Sequence, residues 1–524
     1  MQIPGERAGE NISFWERTAK KFYSSSLSEN LTADVCVVGG GIAGVTTAYL
    51  LARENRRVVL LDDGPVGGGM TGRTTAHLVS ALDDRYYEFD KILGKECSRF
   101  CAESHTAAID RMEAIVSEEK IDCAFERVDG YLFLPPGGSV ADLERELESV
   151  LRAGLRDVER VDRIPTGKFN TNGVLRFPRQ AQFHPLNYVN GLARAILKHG
   201  GQIFTGTRVV KIQDGDRTKI ETSNRHTITA GAAVVATNCP INDRLAIHSK
   251  QAPYGTYVIG ARVTGKVEHA LFWDTAMTAD DEKQILGPVA YHYVRFARDE
   301  EGEVLIVGGE DHKSGQAEDF ERRFSQLEHW SREHFPMLGE ITDRWSGQVM
   351  EPVDGVAYIG RNPGEKNVYV VTGDSGNGMT HGTIAGILIT DLIAGRENPW
   401  VKLYEPTRKT LKPVVIADYI AENANVAVQL RDYVTSGDEP NAEKIKPREG
   451  AILRDGLKKI AAYRDDKGTL HTFSAVCPHL KCIVRWDGAE QTWDCPCHGS
   501  RFDRLGRVLN GPAISDLEPH RNQK

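Results

Sequence analysis

The chain has 524 residues, 40% hydrophobic and 26% charged, the balance of a soluble globular protein too long for one core. Its net charge of −8 offers no basic footprint for nucleic acid or an anionic membrane surface. No apolar run approaches the ~20 residues of a membrane span, and the polar N-terminus lacks the apolar stretch of a secretory signal, so a cytoplasmic protein is expected. After an N-terminal arm (1–30), Val35 to Val38 reads as a strand running into Gly39-Gly40-Gly41-Ile42-Ala43-Gly44. A helix through Arg53 and a second strand, Arg57 to Leu61, complete a βαβ unit. Ser139 is placed to cap a helix whose apolar face is Leu143, Leu147, Val150 and Leu151. A helix over 187–198 stops at Gly200-Gly201, and Gln202 to Thr237 reads as antiparallel strands with polar turns. A strand at Val368 to Thr372 enters a glycine-rich loop and a helix from Thr383 to Ile393. Residues 403–445 read as a helical connector ending in the linker Ser436 to Asn441, and 446–524 as short strands.

In Gly39-x-Gly41-x-x-Gly44 the first glycine permits the tight turn, the second admits a pyrophosphate to the backbone, and the third allows helix and strand to pack closely. Asp62 follows Gly39 by 23 residues, where a carboxylate accepts ribose hydroxyls. The loop 64–76 and the loop 372–383, with Gln182-Phe-His-Pro185 and Ala236-Thr-Asn238, resemble the glycine/D-amino-acid oxidase-like (DAO-type) FAD family over about residues 31–402. That resemblance implies a Rossmann-type, glutathione-reductase-like α/β FAD domain with an antiparallel-sheet substrate domain. It implies Gly39, Gly41, Gly44 and Asp62 on the ADP part, Val209 or Val210 at the adenine through backbone, and Arg73, Thr74 and Thr75 along the flavin. Gly378, Met379 and Thr380 fall at the pyrimidine edge, where a helix N-terminus favours negative charge. Amino-acid oxidases of this family carry an arginine before a proline to clamp a substrate carboxylate; here Glu351 precedes Pro352. Facing the flavin, Glu351 would favour a cationic amine. Tyr291, Tyr293 and Arg295 share one strand face, with Arg295 a candidate replacement anion site, and His381 is a candidate proton acceptor.

Near the C-terminus stand Cys477-Pro-His479 and Cys495-Pro-Cys497-His498, with 15 residues between the two groups. Two thiolates and two imidazoles at this spacing suit a [2Fe–2S] cluster held by cysteine on one iron and histidine on the other. The spacing alone also admits a Cys₂His₂ zinc site. Pro478, Pro496 and the downstream Gly511-Pro512-Ala513 resemble the all-β Rieske domains of quinol-oxidising complexes. The resemblance implies Cys477, His479, Cys495 and His498 as ligands and a disulfide between the extra cysteines, Cys482 and Cys497. Ser500 is a candidate donor to cluster sulfur, while Phe502 stands where the respiratory proteins have a tyrosine. One hydrogen bond fewer predicts a lower potential.

The two halves together predict dehydrogenation of an amine or N-methylated amino acid, with electrons passing from flavin to the cluster and an external acceptor. An electron-transfer or redox-sensing protein, or the reductase partner of an oxygenase, is the alternative. Neither a pyridine-nucleotide domain nor a mononuclear iron site is legible.

Overall fold

The computed structural model describes residues 9–135, 138–169, 173–242, 247–274 and 291–520. Its nucleotide-binding layer is a sheet in which Leu31–Val38 lies between Val58–Leu61 and Thr227–Val235, parallel to both. Gln202–Phe204 and Val368–Thr372 extend it in parallel on either side, and Tyr358–Arg361 closes one edge antiparallel. Val58–Leu61 is buried at every residue, as a strand covered on both faces must be. The 202–237 region is therefore mixed. Val209–Gln213, Thr218–Thr222 and Thr227–Val235 pair antiparallel in turn as expected, while Gln202–Phe204 and Thr227–Val235 also join the parallel strands.

Helices Ile42–Arg53 and Gly378–Ala394 lie side by side on the sheet, close enough that a Cβ on Gly386 would stand 2.6 Å from Thr46 Cγ2. The second begins within the glycine loop, five residues before the predicted Thr383. Lys95–Glu119, a 25-residue helix unanticipated from the sequence, buries Phe100, Ile109, Met112 and Ile115 in the same core. Val140–Ala153 buries Leu143 and Val150, but Leu151 is exposed at 39%, because the helix shows the core a narrower stripe than its apolar residues span.

The second layer is a nine-stranded sheet, antiparallel except where Leu271–Asp274 runs parallel to Glu126–Phe133. Its long strands Gln251–Val263 and Leu338–Pro352 pair with each other and supply Thr256, Val258, Gln348 and Glu351 to the main cleft. The C-terminal domain consists of two small antiparallel sheets, Gly450–Ser474 and Arg485–Asn510, around a core containing Cys477, Cys495, Trp493 and Phe502. The predicted linker is packed rather than free: the Asp438 N–H donates to Ile452 O at 2.7 Å and its carboxylate accepts from Ile452 N. Helix Pro413–Gln429 precedes it, and its Val426 packs on the C-terminal core. The N-terminal arm is also structural. Ser13 and Glu16 form a capping box on helix Phe14–Thr18, whose Phe14 and Trp15 are buried. Among the described residues, no helix is long and apolar enough to cross a membrane.

Candidate active site and cluster centre

One continuous cleft runs from the first glycine turn to the substrate sheet. Gly39 adopts a φ of +106°, the left-handed region that glycine enters without strain. A Cβ on Gly44 would stand 1.8 Å from Gly39 O, so Gly44 packs helix on strand while Gly39 and Gly41 line the cleft. Asp62 accepts from Gly40 N and Gly64 N and lines the cleft, as does Val209. Burial raises the Asp62 carboxyl to about 7, with Asp63 adding to the effect. Gly378 and Met379 open the helix at the other end, so its N-terminal dipole faces the cleft. Thr380 does not reach the wall; its hydroxyl donates back to Asn377 O within the helix turn. A cleft with a glycine turn at one end and a helix N-terminus at the other fits a dinucleotide flavin.

Thr74 and Thr75 line the cleft, and so does Arg73, but the Arg73 guanidinium turns away from it. Arg73 Nη1 meets Glu490 of the C-terminal domain at 2.9 Å, with both side chains almost fully buried. Glu490 also accepts from Ser346 N, Ser346 Oγ and Asn11 N, so arm, flavin loop, substrate sheet and C-terminal domain meet at one carboxylate.

Arg295 is not in the cleft. It is buried, with Nη1 directed at the carbonyls of Thr75, Ala76 and Phe183, Nε donating to Phe296 O, and the guanidinium lying over the Trp15 ring. The replacement anion site expected of it is thereby removed. Tyr291 and Tyr293 do line the cleft, Tyr291 donating to Asp83 at 2.8 Å. Glu351 lines it too and accepts from Ser375 Oγ at 2.8 Å. Burial, together with Asp84, Asp83 and Asp374, raises Glu351 well above the usual carboxylate range. Sequence reasoning missed Asp83 and Asp311. Burial pushes Asp311 up to about 7, and its Oδ1 is enclosed with no hydrogen-bond partner among the described residues. The only signal for Asp311 was its place beside the glycine pair Gly308-Gly309. His381 lines the cleft and bonds through Nδ1 to Asp374 O; burial lowers it to about 4, so it is neutral near pH 7.

In the C-terminal domain, Cys477 and Cys495 are buried free thiols, and the rings of His479 and His498 stand 5.1 Å apart. Cys482 and Cys497 are joined in a disulfide, and both their sulfurs lie within 4.8 Å of Cys495 Sγ. The enclosed His498 Nδ1 has no hydrogen-bond partner among the described residues. Two reduced thiols beside two converging imidazoles fit a cluster with mixed ligands. The histidine side of this centre is pressed onto the flavin-binding half. His248 stacks edge-on to His479 at 4.9 Å and to His498 at 5.7 Å. Gln348, which lines the flavin cleft, donates through Nε2 to Gly499 O at 3.0 Å. Neither His248 nor Gln348 stood out in the sequence.

Residues 34–392 match the DAO family, described as FAD dependent oxidoreductase, and residues 438–521 match the Rieske [2Fe-2S] domain. The chain is a DAO-family FAD-dependent oxidoreductase with a C-terminal Rieske domain. The putative Rieske 2Fe-2S iron-sulfur protein YhfW of Bacillus subtilis is 31% identical over 509 residues, 96% of each chain. The gamma-glutamylputrescine oxidoreductase of Escherichia coli is 26% identical, over 73% of this chain and 89% of its own. Among solved structures, glycine oxidase from Geobacillus kaustophilus superposes with a TM-score of 0.59 at 18% identity, over 72% of this chain and all of its own, which is a likeness of fold. The two matches establish FAD and a Rieske [2Fe–2S] cluster as the cofactors of this oxidoreductase, and set aside the zinc alternative.

Proposed function

We propose that this DAO-family flavoprotein dehydrogenates a cationic amine and sends the electrons through its Rieske centre to an external acceptor. The balance of charge in the cleft carries the proposal. Asp83, Asp311, Glu351 and Asp374 line it, while the positive side chains among its described residues are already engaged or neutral. Arg73 is paired with Glu490, and Arg208 with Asp63 and Asp516. Burial lowers His77 to about 3 and His381 to about 4. A carboxylate substrate would find no free cation among the described residues here, whereas an ammonium restores to these acids the ionised state that mutual repulsion and burial suppress. The relative named for gamma-glutamylputrescine supports the same substrate class.

An arriving ammonium favours ionisation of Glu351 and Asp311, and one of these carboxylates then takes a proton from nitrogen. The freed lone pair allows hydride to leave the adjacent carbon, giving an iminium product that water hydrolyses. FAD held in this cleft would supply the hydride acceptor, and a [2Fe–2S] cluster held by Cys477, His479, Cys495 and His498 would supply a one-electron outlet. Tyr291 and Tyr293 supply aromatic walls against the alkyl chain. Anaerobic mixing of the holoenzyme with monoamines, diamines, N-methylated amino acids and simple amino acids tests the reading. Amines should bleach the flavin and then produce the reduced-cluster EPR signal. Bleaching by simple amino acids alone would refute it.

A further inference from the structure

We propose that the Rieske domain forms part of the FAD site itself: its segment 508–514 walls the adenosine end of the cofactor, and the Asn510 amide donates to it. Val508, Asn510, Gly511 and Ile514 of the Rieske domain line the same cleft as Asp62, Thr207 and Val209, and Arg208, between the last two, bonds to Val508. Asp62 and Val209 are the residues on which the adenosine end of the family's cofactor is expected, so the segment stands over adenosine rather than over the flavin ring.

The segment is fastened in place. Arg208, between two cleft residues, donates through Nη2 to Val508 O at 3.0 Å and pairs through Nη1 with Asp516 at 3.1 Å. Its Nε pairs with Asp63 at 3.2 Å, next to Asp62. Asp516 in turn accepts from Val508 N, which fixes the turn that presents residues 509–514. Contact is close at the tip: a Cβ on Gly511 would lie 3.1 Å from Ile241 Cγ2 and 3.3 Å from Cys239 O of the flavin domain.

Asn510 then stands out. Its Nδ2 is enclosed with no acceptor among the described residues, a state that a protein interior disfavours. Asn510 lines the cleft, and the ribose and pyrophosphate oxygens of FAD are acceptors of the missing kind. Binding of FAD and seating of the Rieske domain are therefore coupled, and each strengthens the other by the same factor.

Hydrogen exchange on the full-length protein tests this, with flavin removed and the cluster retained. Adding FAD should slow exchange in peptides covering 35–63 and, to a similar degree, in peptides covering 505–516. ADP alone should protect both segments, and FMN neither. Protection of 35–63 by FAD with 505–516 unchanged would overturn the shared site, as would protection of 505–516 by FMN but not ADP. In flavin titrations of the full chain, Asn510→Ala should weaken FAD about 2–10-fold, the worth of one hydrogen bond, with the cluster EPR spectrum unaltered. Asp516→Asn, which loosens the segment without touching the cleft, should also weaken it. Wild-type FAD affinity in Asn510→Ala would overturn the assignment of that amide.

Discussion

Replacing Glu490 with alanine should loosen the Rieske domain from the flavin loop by about 4 kcal/mol. The side chains of Arg73 and Glu490 are 1% and 0% exposed, so removing the carboxylate leaves a guanidinium buried without its counter-charge. Breaking a buried pair in this way costs about 3–5 kcal/mol. The Ser346 N–H and hydroxyl lose their acceptor as well, which places the change in the upper part of that range. Arg73→Ala should cost a similar amount. The double variant should cost less than the sum by about 2 kcal/mol or more, since it leaves neither charge stranded. Local opening free energies from hydrogen exchange at residues 70–75 and 486–494 measure all three quantities. Strict additivity, or exchange in Glu490→Ala equal to wild type, would refute the reasoning. The pH dependence has a definite sign. Burial alone would raise Glu490, but the Arg73 charge holds it below its ordinary value, so ionisation favours the docked state. The pair's contribution is then full above the unfolded carboxylate value of about 4.3 and is lost as pH falls below it.

Two further outcomes follow from the same geometry. Phe502 is fully buried in the cluster core, and Phe502→Tyr should raise the cluster midpoint; an unchanged or lowered value in voltammetry would refute the role assigned to this position. Asp311 is raised to about 7 in the fold, so the folded state keeps a proton that the unfolded chain releases above about pH 4. Stability of the flavin-free protein should then fall between about pH 4 and 7, by at most about 4 kcal/mol, and Asp311→Asn should flatten the profile in denaturant titrations.

The features legible in the sequence were those whose physics is local. An unbroken apolar run before a glycine turn specifies a buried parallel strand, and both Val35 to Val38 and its helix stand where that pattern predicts. The candidate cluster ligands stood out because two thiols and two imidazoles recur at short spacing, although that spacing by itself does not separate iron from zinc. What stayed hidden depends on partners far along the chain. Glu490 lies 417 residues from Arg73, so nothing near either betrays the pair. Arg295 looked like an anion site because its strand face was right, while the carbonyls that absorb it come from loops 112–220 residues away. Helix Phe14–Thr18 has five residues, too few for propensity to reveal, and depends on burial of Phe14 and Trp15.

The bond from Gln348 to Gly499 and the packing of His248 on both cluster histidines have a kinetic consequence. Electron exchange between separate proteins waits on a diffusional encounter, which slows with dilution and, for charged partners, responds to salt. Here donor and acceptor sites belong to one packed body, and passage between them would be first order, indifferent to protein concentration and ionic strength. Sensitivity to those variables would shift wholly to the outward step. On the function proposed above, a salt-dependent turnover would thus report the meeting with an external acceptor rather than the oxidation of substrate.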